Sequence, residues 1–383
     1  NGRCNLTNLD LSPVHYHGQD AGFARAALSR FDGTATLDFF HALGLLTTAE
    51  PSGRVYPLSD QSNSVVDVLR FAAAQAGVQL VCGFDAQSVK KARGYQAAGA
   101  DGSAYFGDKL IIACGGCAGK ALGGTMSGYE LLSQLGHSRT ALHPSLTQIR
   151  TDPAPIRGLK GVRADCRIRL RADGRTLLED AGEVQFTDYG LSGICIMQLS
   201  GLLAPGRGPK APAVELDLFP AVDETALASL FAAHAAQTAG GSAADFWLGL
   251  LNQKLGRTVW SAAGLQDSDA PAVLTAAQWQ KLAHTAKHWR FEGLTPCSWK
   301  QAQTTGGGLA LREVDQYFQF KGCPGLYFVG ETLDCAGSCG GFNLHWAFGS
   351  GLVAGRSAAG HAAAGRALPK ASAPAKSRKK PHR

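Results

Sequence analysis

The residues with the clearest chemical potential lie near the end of the chain, in the glycine-rich stretch Gly325–Gly355. The apolar run Leu326–Val329 predicts a short buried strand, and Gly337–Gly341 predicts a turn that leads into a helix. Unpaired N–H groups and the helix dipole favour negative charge at the start of such a helix. An acidic residue at the strand end, Glu331 or Asp334, has the chemistry to bind hydroxyl groups of a ribose-like chain. The alternative is an ordinary strand–turn–helix of an α/β protein.

The helix predicted after this turn contains many small residues: Ala347, Gly349, Ser350, Gly351, Ala354 and Gly355. A glycine inside a helix costs about 1 kcal/mol relative to alanine. The sequence therefore predicts that the helix backbone packs closely against another element or against a ligand.

Two cysteine spacings offer redox or metal chemistry. Cys114 and Cys117 have CxxC spacing, and Cys335 and Cys339 flank three residues. Four thiols at one ligand would suit either role. We favour the alternative, in which these are small packing residues, and we predict no metal site. The chain has no HExxH, P-loop, paired CxxC or Ser-His-Asp order, so the catalytic residues are left unassigned and a bound cofactor is the expected source of chemistry.

Length and charge limit the class of protein. The 383 residues predict two to three domains, and the net charge of +7 equals that of the tail from residue 366 onward. That tail is rich in Ala, Pro, Ser and Lys and is expected to be disordered; weak contact with nucleic acid is the alternative. The chain shows no apolar run long enough to span a membrane and no signal peptide, and ten scattered cysteines predict a reducing, cytoplasmic location.

The pattern of apolar and turn residues predicts the elements that would position these groups. Predicted helices span residues 19–31, 34–43, 62–75, 127–135, 224–236, 243–255 and 275–289. Predicted strands span residues 78–82, 95–98, 103–106, 109–113, 162–171, 176–178, 184–186, 194–199 and 214–218. A turn at Ala172-Asp173-Gly174 makes an antiparallel hairpin of the strands beside it.

Five blocks of sequence occur in the order found in one known family. They are NGRCNLTN at Asn1–Asn8, GRVYPLSD at Gly53–Asp60, LIIACGG at Leu110–Gly116, FTDYGLSG at Phe186–Gly193, and the glycine-rich stretch that ends the fold. Together they resemble the BaiN-like (aminoacetone oxidase-like) family of FAD-dependent oxidoreductases from residue 1 to about residue 357. Thr304–Gly308 is similar to a further family turn, with substitutions.

The resemblance implies an α/β fold: an FAD-binding, Rossmann-like domain of glutathione-reductase type, with an inserted β-barrel plus helical domain. The FAD-binding domain would comprise residues 1–150 and 296–365, the insert 151–295, and the basic tail 366–383.

In the family, NGRCNLTN follows a βαβ unit with a GxGxxG fingerprint, which this chain does not contain. We expect a fragment of a gene product; loss of the main dinucleotide grip is the alternative.

The resemblance also implies which residues bind FAD. They are Arg3, Asn5, Thr7, Val89, Gly115, Gly116, Gly330, Glu331, Gly340, Gly341, Phe342 and Asn343. In flavoproteins of this superfamily the backbone at the position of Val89 often meets the adenine. Arg3, Asn5 and Thr7 otherwise belong to a tight loop, and Gly115 and Gly116 to a tight strand exit. His345 is either a proton donor or a packed helix histidine, and we favour the second interpretation.

The function implied is reduction of a hydrophobic small molecule through bound FAD, with NAD(P)H as electron donor. Two alternatives remain: a flavin-dependent RNA-modifying enzyme, which the neutral charge of the chain body disfavours, and a non-catalytic relic of a flavoprotein. Nucleic acid is an unlikely partner in the main hypothesis. The substrate, the choice of NADH or NADPH and the oligomeric state are not specified by the sequence.

Overall fold

The computed structural model describes residues 2–204, 206, 208–237 and 241–360, so the predicted basic tail lies outside the described residues. The helices in this part of the chain are α1 (Ala21–Leu28), α2 (Gly33–Ala42), α3 (Ser62–Gln75), α4 (Ser127–Gln134), α5 (Ile194–Leu199), α6 (Glu224–Gln237), α7 (Ala243–Phe246), α8 (Gln253–Ala262), α9 (Ala276–Lys287) and α10 (Phe342–Ala358).

The strands are short except for one hairpin. They are β1 (Thr7–Asn8), β2 (Tyr16–His17), β3 (Thr47–Ala49), β4 (Arg54–Pro57), β5 (Ala86–Lys91), β6 (Tyr95–Gly99), β7 (Ala104–Gly107), β8 (Leu110–Ile112), β9 (His143–Ser145), β10 (Ile149–Arg150), β11 (Arg163–Ala172), β12 (Arg175–Phe186), β13 (Gly190–Ser192), β14 (Ala213–Asp217), β15 (Trp289–Phe291), β16 (Thr295–Pro296), β17 (Thr304–Gly306), β18 (Leu326–Phe328) and β19 (Ala336–Gly337).

The chain forms two compact units. The first comprises Asn1–Cys114, Ser127–Ser138 and Leu309–Arg383, and the second comprises Gly115–Met126 and Arg139–Gly308, each as far as it is described. In the first unit, β18 pairs in parallel with β8, with Leu326 opposite Leu110. Strands β5, β6 and β7 form a separate antiparallel meander, as the predicted hairpin over residues 95–106 requires.

The core of the first unit surrounds helix α10. Phe318, Phe328 and Trp346 are almost fully buried within it. Gly349 on α10 lies so close to Phe31 that an added Cβ would be 2.9 Å from the ring. The small residues predicted in this helix therefore serve close packing at this position. Gly351 and Gly355 differ, since a Cβ at either would meet no described atom within 4 Å.

The second unit is built on one antiparallel sheet with the strand order β15-β14-β11-β12-β13-β10-β16. Asp173 and Gly174 both have positive φ angles, of 50° and 72°, and make the tight turn that the sequence predicted between β11 and β12. Helices α6 and α9 pack over an apolar core in which Phe231, Phe246 and Trp260 are fully buried.

The insert does not form the predicted barrel in the described residues. The edge strands β15 and β16 are not paired with each other, so the sheet stays open. Strands β10, β13 and β16 have only two or three residues each. Strands this short add little surface to the long β11–β12 hairpin, and helices cover the sheet instead.

Four predictions of secondary structure were wrong. The strands predicted over 176–178 and 184–186 are one strand, β12, which runs unbroken over Arg175–Phe186. Residues 194–199 form helix α5, because Gly193 at φ 113° ends the strand and Cys195, Ile196 and Leu199 bury one helical face. Residues 78–82 form no strand, and Val78 and Leu80 are largely exposed there. The helix predicted over 243–255 is two helices, because the Asn252 side chain caps α8.

No helix in the described part of the chain is long and apolar enough to cross a membrane.

Candidate functional site

The first described residues of the chain pack directly onto the start of α10. The side-chain amide of Asn8 donates to the carbonyl of Gly340 at 2.9 Å. With the Asn5 amide turned to satisfy its neighbours, its oxygen accepts from the N–H of Gly341 at 3.0 Å. A Cβ at Gly341 would lie 2.4 Å from the Thr7 carbonyl oxygen. Two sequence blocks more than 300 positions apart therefore form one site.

His345 lies beneath this contact and is fully buried. Its Nε2 atom lies 3.0 Å from the carbonyl oxygen of Phe31, and its Nδ1 atom lies 3.0 Å from Thr7 Oγ1 and 2.9 Å from Thr36 Oγ1. Nε2 therefore donates and Nδ1 accepts, which is the neutral tautomer. Burial lowers the pKa of His345 from 6.5 to about 4. This arrangement supports the packed-histidine interpretation and not the proton donor.

Phe342 and Asn343 shape the turn before the helix. Phe342 is buried and stacks on His15 with ring centroids 4.3 Å apart. The Asn343 amide accepts from the N–H of Gly337 at 2.7 Å and donates to its carbonyl at 2.8 Å. Both side chains thus hold the turn in place, which sequence reasoning did not anticipate.

The N-terminus of α10 carries the electrostatic feature that the sequence predicted. Its N-cap is Gly341, with φ 100°, which has no side chain to cap the helix, while the Asn5 side-chain oxygen accepts from the Gly341 N–H. The first turn contains no acidic residue. The positive end of a 17-residue helix is therefore not neutralised by its own residues, which suits a negatively charged group.

Gly330 and Glu331 follow strand β18, and Gly330 packs against helix α10. The N–H of Gly330 donates to Ser350 Oγ at 2.8 Å, and Trp346 Nε1 donates to the Gly330 carbonyl at 3.1 Å. Gly330 has φ 66°, and the small Ala347 lies opposite it. The Glu331 carbonyl accepts from the Tyr129 hydroxyl at 3.0 Å, and its side chain is half-buried.

Val89 lies in strand β5, on a different sheet. Its N–H donates to the Gln134 side-chain oxygen at 3.3 Å, and the Gln134 amide donates to the Gln87 carbonyl at 2.9 Å. Gln134 thereby covers the outer edge of β5. The sequence does not indicate that Gln134 covers this edge, where the adenine contact is predicted, because the position of Gln134 depends on how α4 packs against β5.

Arg3 is engaged elsewhere. Its guanidinium forms ion pairs with Glu50 and Asp60 and lies 4.0 Å above the centre of the Tyr56 ring. The structure therefore places Arg3 among residues of the GRVYPLSD block and its flanks, where its charge is already paired. Its predicted role in the flavin environment stays a prediction.

Gly115 and Gly116 belong to the second unit. Gly115 has φ 73°, and a Cβ there would meet no described atom within 4 Å, so its backbone is accessible. The N–H groups of Cys117 and Ala118 donate to Thr305 Oγ1 at 2.9 and 3.1 Å, which anchors this loop to the Thr304–Gly308 turn. The buried Thr304 hydroxyl has no partner among the described residues.

The cysteines do not form a reactive pair. All ten are free. Burial raises the pKa of the Cys114, Cys335 and Cys339 thiols, so they stay protonated near neutral pH. In the residues that the structure describes, no cysteine belongs to a potential metal-binding group. The packing interpretation is favoured.

The residues of the first unit fit a dinucleotide cofactor. The acid-free first turn of α10 offers the positive end of the helix dipole, and Glu331 offers a carboxylate at the strand end. The neutral, buried His345 adds no charge that would compete. The arrangement can bind and orient an anionic group, and His345 is not its acid or base because both ring nitrogens are engaged inside the protein.

Comparison with known proteins agrees with this description. The family model described as HI0933-like protein Rossmann domain matches residues 1–357. A 3-dehydro-bile acid delta(4,6)-reductase from Clostridium scindens is 34% identical over 94% of this chain and 88% of its own length. A ribosomal RNA dihydrouridine synthase from Escherichia coli is 28% identical over 91% of this chain and 85% of its own.

Solved structures add little to this. The open conformation of a flavocytochrome c3 fumarate reductase is similar over 95% of this chain and 71% of that chain, with 16% identity and a TM-score of 0.38. A likeness with a TM-score this low supports no conclusion about this chain. Its family is assigned from the family model and the sequence relatives.

Proposed function

Because the chain belongs to the HI0933-like Rossmann-domain family of flavoprotein oxidoreductases, we propose that it binds FAD and uses NAD(P)H to reduce a carbon–carbon double bond. The substrate proposed is a hydrophobic small molecule in which a carbonyl activates that bond. The observation that carries the proposal is the acid-free start of α10, which begins at a glycine N-cap and is held against the loop of residues Asn5–Asn8 (the NLTN loop).

The names of the relatives support this reaction class. A delta(4,6)-reductase and a dihydrouridine synthase both add hydrogen to a carbon–carbon double bond. In a 3-dehydro steroid and in uracil that bond is conjugated with a carbonyl group. The bile-acid name belongs to that relative, and for this chain we propose only the bond type.

The residues of this chain would bind and position the cofactor. When bound, a flavin supplies two-electron transfer between nicotinamide and substrate. The start of α10 would stabilise negative charge on the ring, and Glu331 would accept hydrogen bonds from ribityl hydroxyls. Asn343 holds the turn that sets the position of the helix end. His345 does not supply the substrate proton, because both of its nitrogens are engaged inside the protein.

The decisive experiment is the visible absorption spectrum of the purified protein with FAD, recorded without oxygen before and after NADH or NADPH. We expect a flavin spectrum that bleaches with one nucleotide and recovers when an α,β-unsaturated ketone is added. A protein that binds no FAD would contradict the proposal and favour the non-catalytic relic. Bleaching without recovery would leave a flavoprotein reductase with another acceptor.

A second candidate is reduction of uridine in RNA, favoured by the similarity to the dihydrouridine synthase. It predicts binding of ribosomal RNA that weakens with salt and persists when residues 366–383 are deleted. It also predicts loss of uridine absorbance at 260 nm only in the presence of the reduced nucleotide. Binding that disappears with the tail would be non-specific attraction and would count against this candidate.

A further inference from the structure

Three side chains of the second unit bring ligand atoms together where two helices pack. Glu224 is the first residue of α6, His284 lies in the last turn of α9, and His288 is the C-cap of α9. The Nδ1 atom of His284 lies 3.2 Å from Glu224 Oε1, and the Nε2 atom of His288 lies 3.2 Å from Glu224 Oε2. One donor atom of each residue lies within 4.8 Å of the other two.

The spacing of the histidines explains their position. Residues four apart face the same side of a helix, and the two imidazole rings stack with centroids 4.7 Å apart. Glu224 faces them from the neighbouring helix. His284 Nδ1 lies 3.2 and 3.3 Å from its two carboxylate oxygens, and His288 Nε2 lies 3.2 Å from Oε2.

A second carboxylate, that of Glu215, contacts His288 on the side of the ring that faces away from Glu224. Glu215 on β14 lies with Oε1 3.1 Å from His288 Nδ1, and its side chain is only 13% exposed. Arg169 holds Glu215 through a contact of 3.2 Å. A carboxylate that accepts the Nδ1 proton orients the ring and presents Nε2 as a ligand, as outer carboxylates do for histidines that bind metals.

This geometry requires a shared cation. If neutral His288 donates from Nδ1 to Glu215, its Nε2 is an acceptor that faces an acceptor oxygen of Glu224. Two lone pairs at this distance are stable together only when a proton or a metal ion lies between them. Two ligand atoms at tetrahedral zinc lie about 3.4 Å apart, given metal–ligand distances of ~2.1 Å, which is close to the separations observed.

We propose that Glu224, His284 and His288 bind a divalent transition-metal ion of the Zn²⁺ or Co²⁺ type. Two imidazoles and one carboxylate suit such ions better than Mg²⁺ or Ca²⁺, which prefer oxygen ligands. Three protein ligands leave a fourth position for water. Both histidines line a solvent-filled cleft of about 1150 Å³ within this unit, which gives the ion a route of entry.

The metal would clamp the start of α6 to the end of α9. It lies in the unit that does not contain the α10 site, and the inference does not depend on the proposed function. Sequence analysis missed the site because Glu224 is 60 positions from His284 and the pair of histidines alone is a weak signal.

The test is a Co²⁺ titration of the full-length protein without an affinity tag, followed by the absorption of the bound ion between about 500 and 650 nm, with Zn²⁺ as competitor. We expect saturation at one ion per chain. His284→Asn and Glu224→Gln should each weaken binding at least tenfold. His284 has a 62% exposed side chain, so its replacement leaves the fold intact.

Two further variants separate metal binding from general effects. His41→Asn removes an exposed histidine of the first unit whose side chain hydrogen-bonds to Thr47, and we expect unchanged affinity. Glu215→Gln should weaken Co²⁺ binding about 10- to 100-fold without removing a ligand. Absence of saturable binding, or equal binding by the wild type, His284→Asn and Glu224→Gln, would overturn the proposal and assign the cluster to protons.

Discussion

Thr7 Oγ1 and His345 Nδ1 lie 3.0 Å apart, and both residues are fully buried. Thr36 Oγ1 lies 2.9 Å from the same nitrogen and 3.1 Å from the Asp32 carbonyl. Since Nδ1 has one lone pair, one hydroxyl donates to it at a time. The other has an alternative acceptor, because Thr36 Oγ1 reaches the Asp32 carbonyl and Thr7 Oγ1 lies 3.4 Å from the Asn8 carbonyl. Each hydroxyl is thus a reserve donor for His345.

This reserve predicts a non-additive pair of substitutions. Thr7→Val should lower the free energy of unfolding by about 1 kcal/mol, because Thr36 can turn to His345, and Thr36→Val should do the same. The double variant leaves Nδ1 without a donor and should lose about 1 kcal/mol more than the sum. Urea denaturation measures all three, with Thr7→Ser as the control that keeps the hydroxyl. Strict additivity would disprove the shared acceptor.

Burial of His345 predicts a dependence of stability on pH. Its pKa falls from 6.5 to about 4 in the folded protein, chiefly through burial. Between these values the unfolded chain binds a proton that the folded chain does not, so stability is full above pH 6.5 and declines as the pH falls toward 4.

The variant His345→Gln isolates this contribution from other histidines. The difference in unfolding free energy between wild type and variant should shrink as the pH falls through this window, by at most about 1.4 kcal/mol per pH unit. Denaturant titrations from pH 7.5 to 4 measure it. A difference independent of pH would show that His345 titrates normally in the folded protein.

Two glycines of one region should respond in opposite ways to alanine. Gly341→Ala forces a side chain into φ 100°, with its Cβ 2.4 Å from the Thr7 carbonyl oxygen. We expect a loss of about 2–3 kcal/mol and weaker retention of FAD. Gly351→Ala meets no described atom within 4 Å and should stabilise α10 by up to about 1 kcal/mol. Thermal unfolding and flavin content report both. Equal losses would mean that the face of Gly351 also packs closely.

The edge of β5 offers a test of the predicted adenine contact. If adenine bonds to the Val89 backbone, it must replace the Gln134 side chain that now accepts from that N–H. Gln134→Ala should then increase FAD affinity about fivefold, the equivalent of one competing hydrogen bond. Ser133→Ala, a neighbouring change on α4, should have no effect. Unchanged affinity in Gln134→Ala would contradict the assignment of Val89.

The local elements were largely predictable, and the exceptions have physical causes. Helix α3 and the hairpin turn at Asp173-Gly174 follow from helical periodicity and turn chemistry alone. Residues 194–199 were wrongly predicted as a strand, because a short apolar run fits a strand and a buried helix equally well. Here Gly193 and the burial of one face decide for the helix.

The sequence blocks indicated residues that lie together in the structure, but their contacts were not predictable. Sequence blocks pointed to Thr7, Gly341 and Asn343, and the structure places these residues together in the first unit. It also shows that Asn343 and His345 hold the protein together instead of facing outward. Such partners depend on tertiary packing, as does the pairing of Arg3 with Glu50.

The contact between Asn8 and Gly340 has a consequence for synthesis. During translation, residues 5–8 leave the ribosome long before residues 340–343, and domains tend to fold as they emerge. The second unit ends at Gly308 and can fold first. The NLTN loop therefore lacks its hydrogen-bond partners at the start of α10 until that helix has been synthesised. A chain that ends before residue 340 lacks Gly340, Gly341 and Phe342, which are among the residues proposed to bind FAD, so flavin binding would report that synthesis has reached α10.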